Sequence, residues 1–358
     1  DVAPGIAMTV LLDVRNYSVG FQTERGFAQV VDDVSFQLER GKTLGIVGES
    51  GSGKSVLNRS IMGLASTSRQ VEHGSVLFDG AELVGTDRQH LWGRRIGMIF
   101  QDPMTSLNPV MRIGHQIAEP LRQHLGLARA AVRDQSIKLL EMVGVAEASR
   151  RLSQFPHQLS GGLRQRILIA IALAGAPDLL IADEPTTALD VTVQKYILDL
   201  LAEIQAELAM SIVLITHDLG VARGRTDDIM VMYGGRVMEM APAEALFSGM
   251  VHPYTQALFA ATPRVDQPKH TRLTPIDGAP PDPLALPPGC RFSPRCLYAQ
   301  QQCTEVVPAV QNWSRHRYAC FYPVGTRKSD EALALNTVRG VTAAGLVITK
   351  RLGTPLPK

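Results

Sequence analysis

Short apolar runs alternate with longer amphipathic stretches as far as about Gly235. The runs Thr43–Val47 and Leu179–Glu184 are bounded by turn-forming residues, which is typical of buried parallel strands. Residues 104–158 have a mostly helical pattern, with apolar residues at helical spacing in Ala130–Val143. The alternation predicts an α/β fold with a parallel sheet and crossover helices.

The pattern changes after about residue 255, where proline becomes dense from Pro263 to Pro288 and the cysteines follow. We therefore expect a boundary near residues 255–262. The predicted division is a large α/β domain over residues 8–255, a cysteine-containing region over residues 256–325 and a tail over residues 326–358. The other predicted strands lie within residues 10–50, at Ser75–Phe78 and at Arg95–Phe100.

Composition narrows the class of protein. The 358 residues carry a formal net charge of +2, and no Lys/Arg run is long enough to form a nucleic-acid-binding tail. No stretch reaches ~18 uninterrupted apolar residues, so the chain itself is not expected to span a membrane. No charged and then apolar leader begins the sequence, so secretion is not indicated. The first residue is Asp, and Met8 is an alternative start.

A glycine-rich loop follows the strand Thr43–Val47 and opens a helix. Its residues are Gly48, Glu49, Ser50, Gly51, Ser52, Gly53, Lys54 and Ser55. Backbone N–H groups of such a loop cradle a polyphosphate, and the positive end of the following helix faces the same anion. Lys54 adds a charge toward the β- and γ-phosphates, and the Ser55 hydroxyl suits Mg²⁺. Strand, loop and helix together predict a nucleotide-binding P-loop.

Two carboxylates end the strand Leu179–Glu184. Asp183, at the carboxyl end of the strand, is predicted to hold Mg²⁺ directly or through water. Glu184 is then placed to polarise the attacking water as general base. Beside a P-loop, these roles are favoured over two merely solvated carboxylates.

A second candidate anion site precedes the apolar helix Ile167–Ala174. Ser160, Gly161 and Gly162 form a helix N-terminus of the kind that binds anions. An ordinary Ser N-cap with flexible glycines would account for the segment if it stood alone. One chain needs to bind only one γ-phosphate, so a second anion site in the same chain requires an explanation.

Together these motifs resemble the Walker A, Walker B and signature motifs of the ATP-binding cassette (ABC) ATPases. The signature resemblance runs from Leu159 to Gln165, and the resemblance as a whole spans about residues 10–255. It implies an α/β fold: a P-loop ABC domain with a RecA-like core, an antiparallel β subdomain, a helical subdomain at about residues 102–170 and a small Cys-rich appendix.

Smaller motifs extend the resemblance. Gln101 matches the Q-loop glutamine that senses Mg²⁺ and water, and His217 matches the switch histidine at the γ-phosphate. Phe21 lies where the family has the aromatic ring that stacks on adenine, with Tyr17 as the competitor. The D-loop is matched by Ala188, Leu189 and Asp190.

The family pattern implies a head-to-tail dimer in which ATP lies between one chain's P-loop and the other chain's Ser160, Gly161 and Gly162. This arrangement explains two phosphate sites per chain. Val56 departs from the pattern, since many members carry a second hydroxyl there. One hydrogen bond to the α-phosphate is therefore expected to be missing, while the rest of the P-loop is intact.

All four cysteines, Cys290, Cys296, Cys303 and Cys320, lie in the C-terminal region. Disulfides are disfavoured in a reducing compartment. Structural zinc takes four thiolates, though usually from tighter pairs than these, and an iron–sulfur cluster tolerates looser spacing. The spacing alone leaves zinc and iron–sulfur open.

The surroundings of the cysteines resemble the C-terminal region of oligopeptide/dipeptide permease ATPases. The resemblance rests on His252–Thr255, Pro263 and Gly289–Cys296, with Asp102–Pro109 after the Q-loop glutamine. In the dipeptide-type subunits it implies a [4Fe–4S] cluster with four Cys ligands, with structural Zn²⁺ as the alternative. Arg291 and Arg295 flank two of the cysteines and are candidates for offsetting thiolate charge, or for solvated positions.

The resemblance implies the ATP-hydrolysing subunit of a bacterial peptide importer at the cytoplasmic face of the membrane. The expected partners are two transmembrane permease subunits, a paralogous ATPase or a second copy of this chain, and an extracytoplasmic substrate-binding protein. No nucleic acid is expected. The alternatives are import of nickel or another small solute, and a soluble ABC ATPase of DNA repair or translation.

Overall fold

The computed structural model describes residues 10–64, 69–186, 190–262 and 275–348. Its strands are β1 (Val10–Thr23), β2 (Gly26–Glu39), β3 (Thr43–Val47), β4 (Gln70–Phe78), β5 (Ala81–Glu82), β6 (Ile96–Ile99), β7 (Leu179–Asp183), β8 (Ser211–Thr216), β9 (Asp228–Tyr233), β10 (Arg236–Pro242), β11 (Gln311–Trp313) and β12 (His316–Tyr318).

Its α-helices are α1 (Lys54–Ile61), α2 (Pro103–Ser106), α3 (Ile113–Leu125), α4 (Arg129–Met142), α5 (Ala148–Arg151), α6 (Gly161–Leu173), α7 (Val191–Leu208), α8 (Leu219–Ala222), α9 (Ala243–Ser248), α10 (Pro253–Ala261), α11 (Gln301–Glu305) and α12 (Arg327–Arg339). Short 3₁₀ turns lie at Gln89–Leu91, Pro156–Gln158 and Ser293–Arg295. Within the described residues, no helix combines the length and the apolar character needed to cross a bilayer.

The large sheet has the strand order β11-β12-β10-β9-β3-β8-β7-β6. Strands β9, β3, β8, β7 and β6 pair in parallel, as the alternating pattern predicts. The strand that precedes the P-loop, β3, is central and buried at all five positions. The P-loop therefore begins at the carboxyl edge of a rigid sheet, where ligands bind in open α/β folds.

A second sheet is antiparallel, with the order β2-β1-β4-β5. Its apolar face and the large sheet enclose one core, which includes Val14, Phe36, Leu57 and Ile181. A second core joins the helical segment α3–α6 to the sheet, through Ile117, Leu140 and Ile169 among others. The large sheet is therefore packed against the antiparallel sheet and against the helical segment.

The C-terminal region is attached to the large sheet. Strand β12 pairs with β10, and β11 pairs with β12, so a short hairpin extends the sheet at the β10 edge. Helix α10 crosses the predicted boundary near residues 255–262, and the segment predicted as a tail contains α12, which is capped at Thr326. A third core packs Tyr254, Phe292 and Cys296 against β9.

Candidate nucleotide site

The P-loop has a backbone that only glycine tolerates at two positions. Gly48 and Gly53 have φ values of 159° and 99°. A Cβ at Gly48 would lie 2.2 Å from the carbonyl oxygen of Met232, and one at Gly53 would lie 2.7 Å from that of Val30. Gly53 is the N-cap of α1, so the loop delivers its N–H groups to the start of a helix.

Lys54 is buried beneath the loop. Its Nζ donates to the carbonyl oxygens of Gly48 and Glu49 at 2.7 and 2.8 Å, and lies 3.3 Å from Ser52 Oγ. Burial lowers the pKa of Lys54, against the opposing effect of Glu184 and other nearby carboxylates. The ammonium group is thus held ready for an anion at the loop. Nearby, the side chain of Ser50 is exposed and that of Val56, on α1, is partly buried.

Ser55 and Asp183 meet below the P-loop. Ser55 Oγ donates to Asp183 Oδ1 at 2.9 Å, and Asp183 is fully buried. Burial raises the pKa of Asp183, while Ser55 and Arg59 oppose the shift. Among the described residues, Asp183 Oδ2 has no hydrogen-bond partner. A hydroxyl beside an unsatisfied carboxylate oxygen fits Mg²⁺, which takes oxygen ligands.

Gln101 and His217 converge on Glu184. Gln101 Nε2 donates to Glu184 Oε2 at 2.9 Å, and His217 Nδ1 lies 3.3 Å from the same oxygen. The hydrogen bond with Glu184 raises the pKa of His217, and partial burial opposes this shift. Three residues separated widely in sequence therefore form one cluster at the carboxyl ends of neighbouring strands.

The signature segment lies on α6. Ser160 is the N-cap of this helix, and its hydroxyl accepts a hydrogen bond from Leu163 N at 3.4 Å. Ser160 and Gly161 are exposed, whereas Gln165 is buried at 1 % exposure. The exposed residues are accessible to a second chain. A Cβ at Gly162 would lie 3.2 Å from Val193, so α6 and α7 are in close contact here.

Asp190 is the N-cap of α7, where its carboxylate accepts from Thr192 N and Val193 N at 3.0 Å. This contact is a structural use of the side chain. The other two D-loop positions, Ala188 and Leu189, lie outside the described residues.

The two aromatic candidates for adenine stacking differ in burial. Tyr17 is fully buried in the core between the sheets. Phe21, near the end of β1, is only partly buried against the same core. Phe21 is therefore the ring that remains accessible to a base.

Comparison with known proteins identifies the family of the chain. The ABC transporter family model matches residues 31–187, and the model of the oligopeptide/dipeptide transporter C-terminal region matches residues 238–303. The oligopeptide transport ATP-binding protein OppD of Haemophilus influenzae is 49% identical over 310 residues, which are 86% of this chain and 95% of that protein. This chain belongs to the ABC transporter family of ATPases.

Other relatives agree with this assignment. The dipeptide transport ATP-binding protein DppD of Bacillus subtilis is 47% identical over 305 residues, covering 84% of this chain and 91% of the relative. Among solved structures, the dimeric post-hydrolysis state of the cassette MJ0796, bound to ADP and Pi, has a TM-score of 0.58 and 27% identity, covering 65% of this chain and 98% of that chain. The predicted ABC fold and the predicted ATPase class are thereby confirmed.

The cysteines of this ABC protein line one small cavity. All four cysteines line its walls, together with Phe292 and Tyr298. None of the four cysteines forms a disulfide. Burial raises the pKa of Cys290 to about 11 and raises those of Cys296, Cys303 and Cys320 as well. In the described ranges, no group of three or more His, Cys, Asp or Glu is arranged to hold a metal ion.

The two arginines beside the cysteines are mostly buried and ion-paired with carboxylates, and the charge of Arg291 also opposes the rise in the pKa of Cys290. Arg291 donates to Asp32 of β2 at 2.6 Å. Arg295 donates to Glu49 of the P-loop at 2.6 Å, across 246 residues of sequence. The sequence reading missed this second contact, because no local pattern marks two residues so far apart as partners.

Proposed function

We propose that this ABC ATPase is the ATP-hydrolysing subunit of a bacterial importer of dipeptides or oligopeptides. The observation that carries the proposal is the coexistence in one chain of the clustered P-loop, Asp183 and Glu184 residues with the oligopeptide/dipeptide type of C-terminal region. The relatives named above are peptide transport ATP-binding proteins, which supports the cargo class.

The geometry of the described residues supports the roles proposed for them. Glu184 is the general base for the attacking water; Gln101 and His217 fix its carboxylate. Lys54 and the P-loop N–H groups bind the phosphates, and bound Mg²⁺, held by Ser55 and Asp183, would neutralise charge on them. Phe21 supports the adenine ring.

The catalytic unit is a head-to-tail dimer, with a paralogous ATPase or with a second copy of this chain. The exposure of Ser160 and Gly161 supports it, because these groups face outward. The dimeric state of the structural relative supports it too. Ser160, Gly161 and Gly162 of one chain would then complete the γ-phosphate site of the other.

The chain acts at the cytoplasmic face of the membrane on two transmembrane permease subunits, and a substrate-binding protein outside supplies the cargo. Residues 102–125, which follow Gln101, form the docking surface for the permeases. Among them, Val110 has 81% of its surface exposed. An exposed apolar side chain at that place suits a protein contact.

The cysteine site binds a [4Fe–4S] cluster in this proposal, with structural Zn²⁺ as the alternative. Four free thiols line one cavity and match the donor number that either group requires, although within the described residues they are not arranged as a metal site. When bound, the group would cross-link the C-terminal region. The role assigned to it is structural.

Import of nickel or another small solute uses the same motor, and no residue of an ATPase contacts the cargo. A soluble ABC ATPase of DNA repair or translation is disfavoured by the transporter-type C-terminal region. The net charge of +2 also gives no basis for nucleic-acid binding.

The test is reconstitution of this chain with its two permeases and its ATPase partner in vesicles. Hydrolysis is expected to rise when peptide-loaded binding protein is added, because the loaded partner favours the closed dimer. Apo binding protein is the control. If only nickel-loaded binding protein stimulated hydrolysis, the proposed cargo would be nickel instead of peptides. Stimulation by DNA or ribosomes, with none by the permeases, would overturn the transport role.

A further inference from the structure

The structure connects the C-terminal region to the P-loop through one side chain. Arg295 Nη1 and Nη2 bind Glu49 Oε2 and Oε1 at 2.6 and 3.1 Å, a bidentate ion pair. The Arg295 side chain is 4% exposed and that of Glu49 is 24% exposed. The pair is therefore shielded from solvent and is not an incidental surface contact.

Every N–H donor of Arg295 is used. Besides the two bonds to Glu49, Nη1 donates to Tyr233 Oη at 3.1 Å, Nη2 to Ile276 O at 3.0 Å and Nε to Asp277 O at 2.8 Å. A guanidinium has five donors in a fixed plane. These hydrogen bonds fix the position of the guanidinium, which in turn holds the Glu49 carboxylate in place.

Residue 49 is also fixed through its backbone. Its N–H donates to the hydroxyl of Tyr254 at 2.8 Å, and Tyr254 is fully buried beside Tyr233, with ring centroids 4.6 Å apart. Its carbonyl oxygen accepts the hydrogen bond from Lys54 at 2.8 Å. One P-loop residue therefore joins the C-terminal region to the phosphate-binding lysine.

We infer that Arg295 is a positioning residue for nucleotide binding, which acts on the P-loop through Glu49. The inference rests on the proposed ATPase function. A loop held in its binding conformation loses less conformational entropy when the phosphates arrive. Arg295 lies on the 3₁₀ turn Ser293–Arg295, directly before Cys296. A change in the geometry of the cysteine region would therefore act on the nucleotide site through this side chain.

A purely structural role predicts a different result. Breaking a buried ion pair destabilises the fold and leaves one charge uncompensated. That effect would lower the melting temperature without a specific effect on nucleotide affinity in the folded fraction. Arg291 is the matched control, because it is a largely buried arginine of the same region, with a side chain 10% exposed, that pairs with Asp32 of β2 instead of with the P-loop.

The experiment measures binding of a fluorescent ATP analogue to the full chain, and ATP hydrolysis in the assembled transporter. Arg295→Gln and Glu49→Gln are each expected to weaken binding about tenfold, a typical size for the loss of one coupled pair. The KM for ATP rises in parallel, while kcat at saturating ATP stays within about twofold, because the Glu184 cluster is untouched. Arg291→Gln leaves the affinity unchanged.

Two further variants keep the test decisive if Arg295→Gln folds poorly. Arg295→Lys retains a charge but not the fork, so it is expected to restore affinity only in part. The double variant R295Q/E49Q should cost no more affinity than either single change. The inference would be overturned if the single variants bound ATP within twofold of wild type, or if their losses of affinity added up in the double variant. It would also be overturned if Arg291→Gln lost as much affinity as Arg295→Gln. A wild-type chain that binds no ATP would overturn the ATPase function itself.

Discussion

Glu184 has a backbone conformation that is unusual for a residue with a side chain. Its φ is 50°, and its N–H donates to Ile215 O at 3.0 Å. A non-glycine residue in the left-handed region costs about 1–3 kcal/mol and persists where the surrounding structure holds it. This turn, directly after β7, directs the carboxylate toward Gln101 and His217.

The first prediction is that Glu184→Gln keeps ATP binding and lowers hydrolysis by about a hundredfold or more, as expected on loss of a general base. The amide is a poor acceptor for the proton of water, while the P-loop is unchanged. Single-turnover hydrolysis and nucleotide affinity are measured together.

Glu203→Gln, an exposed change of the same chemistry on α7, is the control and should have no effect. Hydrolysis by Glu184→Gln within a few-fold of wild type would remove this residue from the base role. Accumulation of an ATP-bound dimer would support the role.

At this scale the sequence predicted the residues of each motif but not all their partners. The P-loop and the Ser55–Asp183 pair follow from short motifs whose chemistry is local. The choice between Tyr17 and Phe21 needed burial, which depends on how two sheets pack. The Arg295–Glu49 pair depends on the docking of distant segments, so no motif could reveal it.

Among the elements, the cysteine-bearing turns are joined to one another and to β10 by backbone hydrogen bonds. Cys290 N donates to Cys303 O at 2.8 Å, and Ala319 N, next to Cys320, donates to Met238 O at 2.9 Å. A small segment with little core of its own depends on cross-links. The proposed metal centre would provide them.

The second prediction is that Cys303→Ser speeds amide exchange in residues 290–320 far more than in β3, because the proposed metal centre would lose one ligand. Anaerobically purified wild type should contain iron and acid-labile sulfide in equal amounts, and the variant should contain less. Hydrogen exchange with metal analysis measures both.

Ala299→Ser is the control, since it places a hydroxyl in the same buried cluster without changing a thiol. Equal effects from both variants, in protein free of metal, would contradict a metal centre. One zinc per chain and no sulfide would favour the structural-zinc alternative.

Elements were predictable where their patterns were long. Helix α4 was predicted at Ala130–Val143 and lies at Arg129–Met142, and β3 has the predicted bounds. Strands β11 and β12 have three residues each, and all of β11 is exposed. They are therefore too short for a hydrophobic periodicity to predict them. Their pairing with β10 is a tertiary effect.

For the whole molecule, the sheet continues through the predicted domain boundary. A chain that ends at Thr262 lacks β12, so one edge of β10 is unpaired and the apolar residues of the third core are uncovered. A chain that ends at Gly325 keeps the hairpin and Arg295 but lacks α12.

The third prediction is that the chain ending at Thr262 melts at least ~5 °C lower than the full chain and aggregates, as a loss of more than about 1–2 kcal/mol implies for a domain of this size. The chain ending at Gly325 keeps nucleotide affinity. Differential scanning calorimetry and nucleotide titration compare them. A stable Thr262 chain with normal affinity would show that the C-terminal region is a separable appendix.

The strand order has a consequence for biosynthesis. Strand β3 lies between β8 and β9, which begin at Ser211 and Asp228. During synthesis its five residues, all buried in the finished fold, leave the ribosome long before either neighbour exists, whereas β1 and β2 pair at once as a hairpin. Nascent chains that stop before Tyr233 therefore have no finished P-loop platform, and they expose a hydrophobic strand for the whole interval. We therefore expect the growing chain, more than the finished protein, to depend on chaperones.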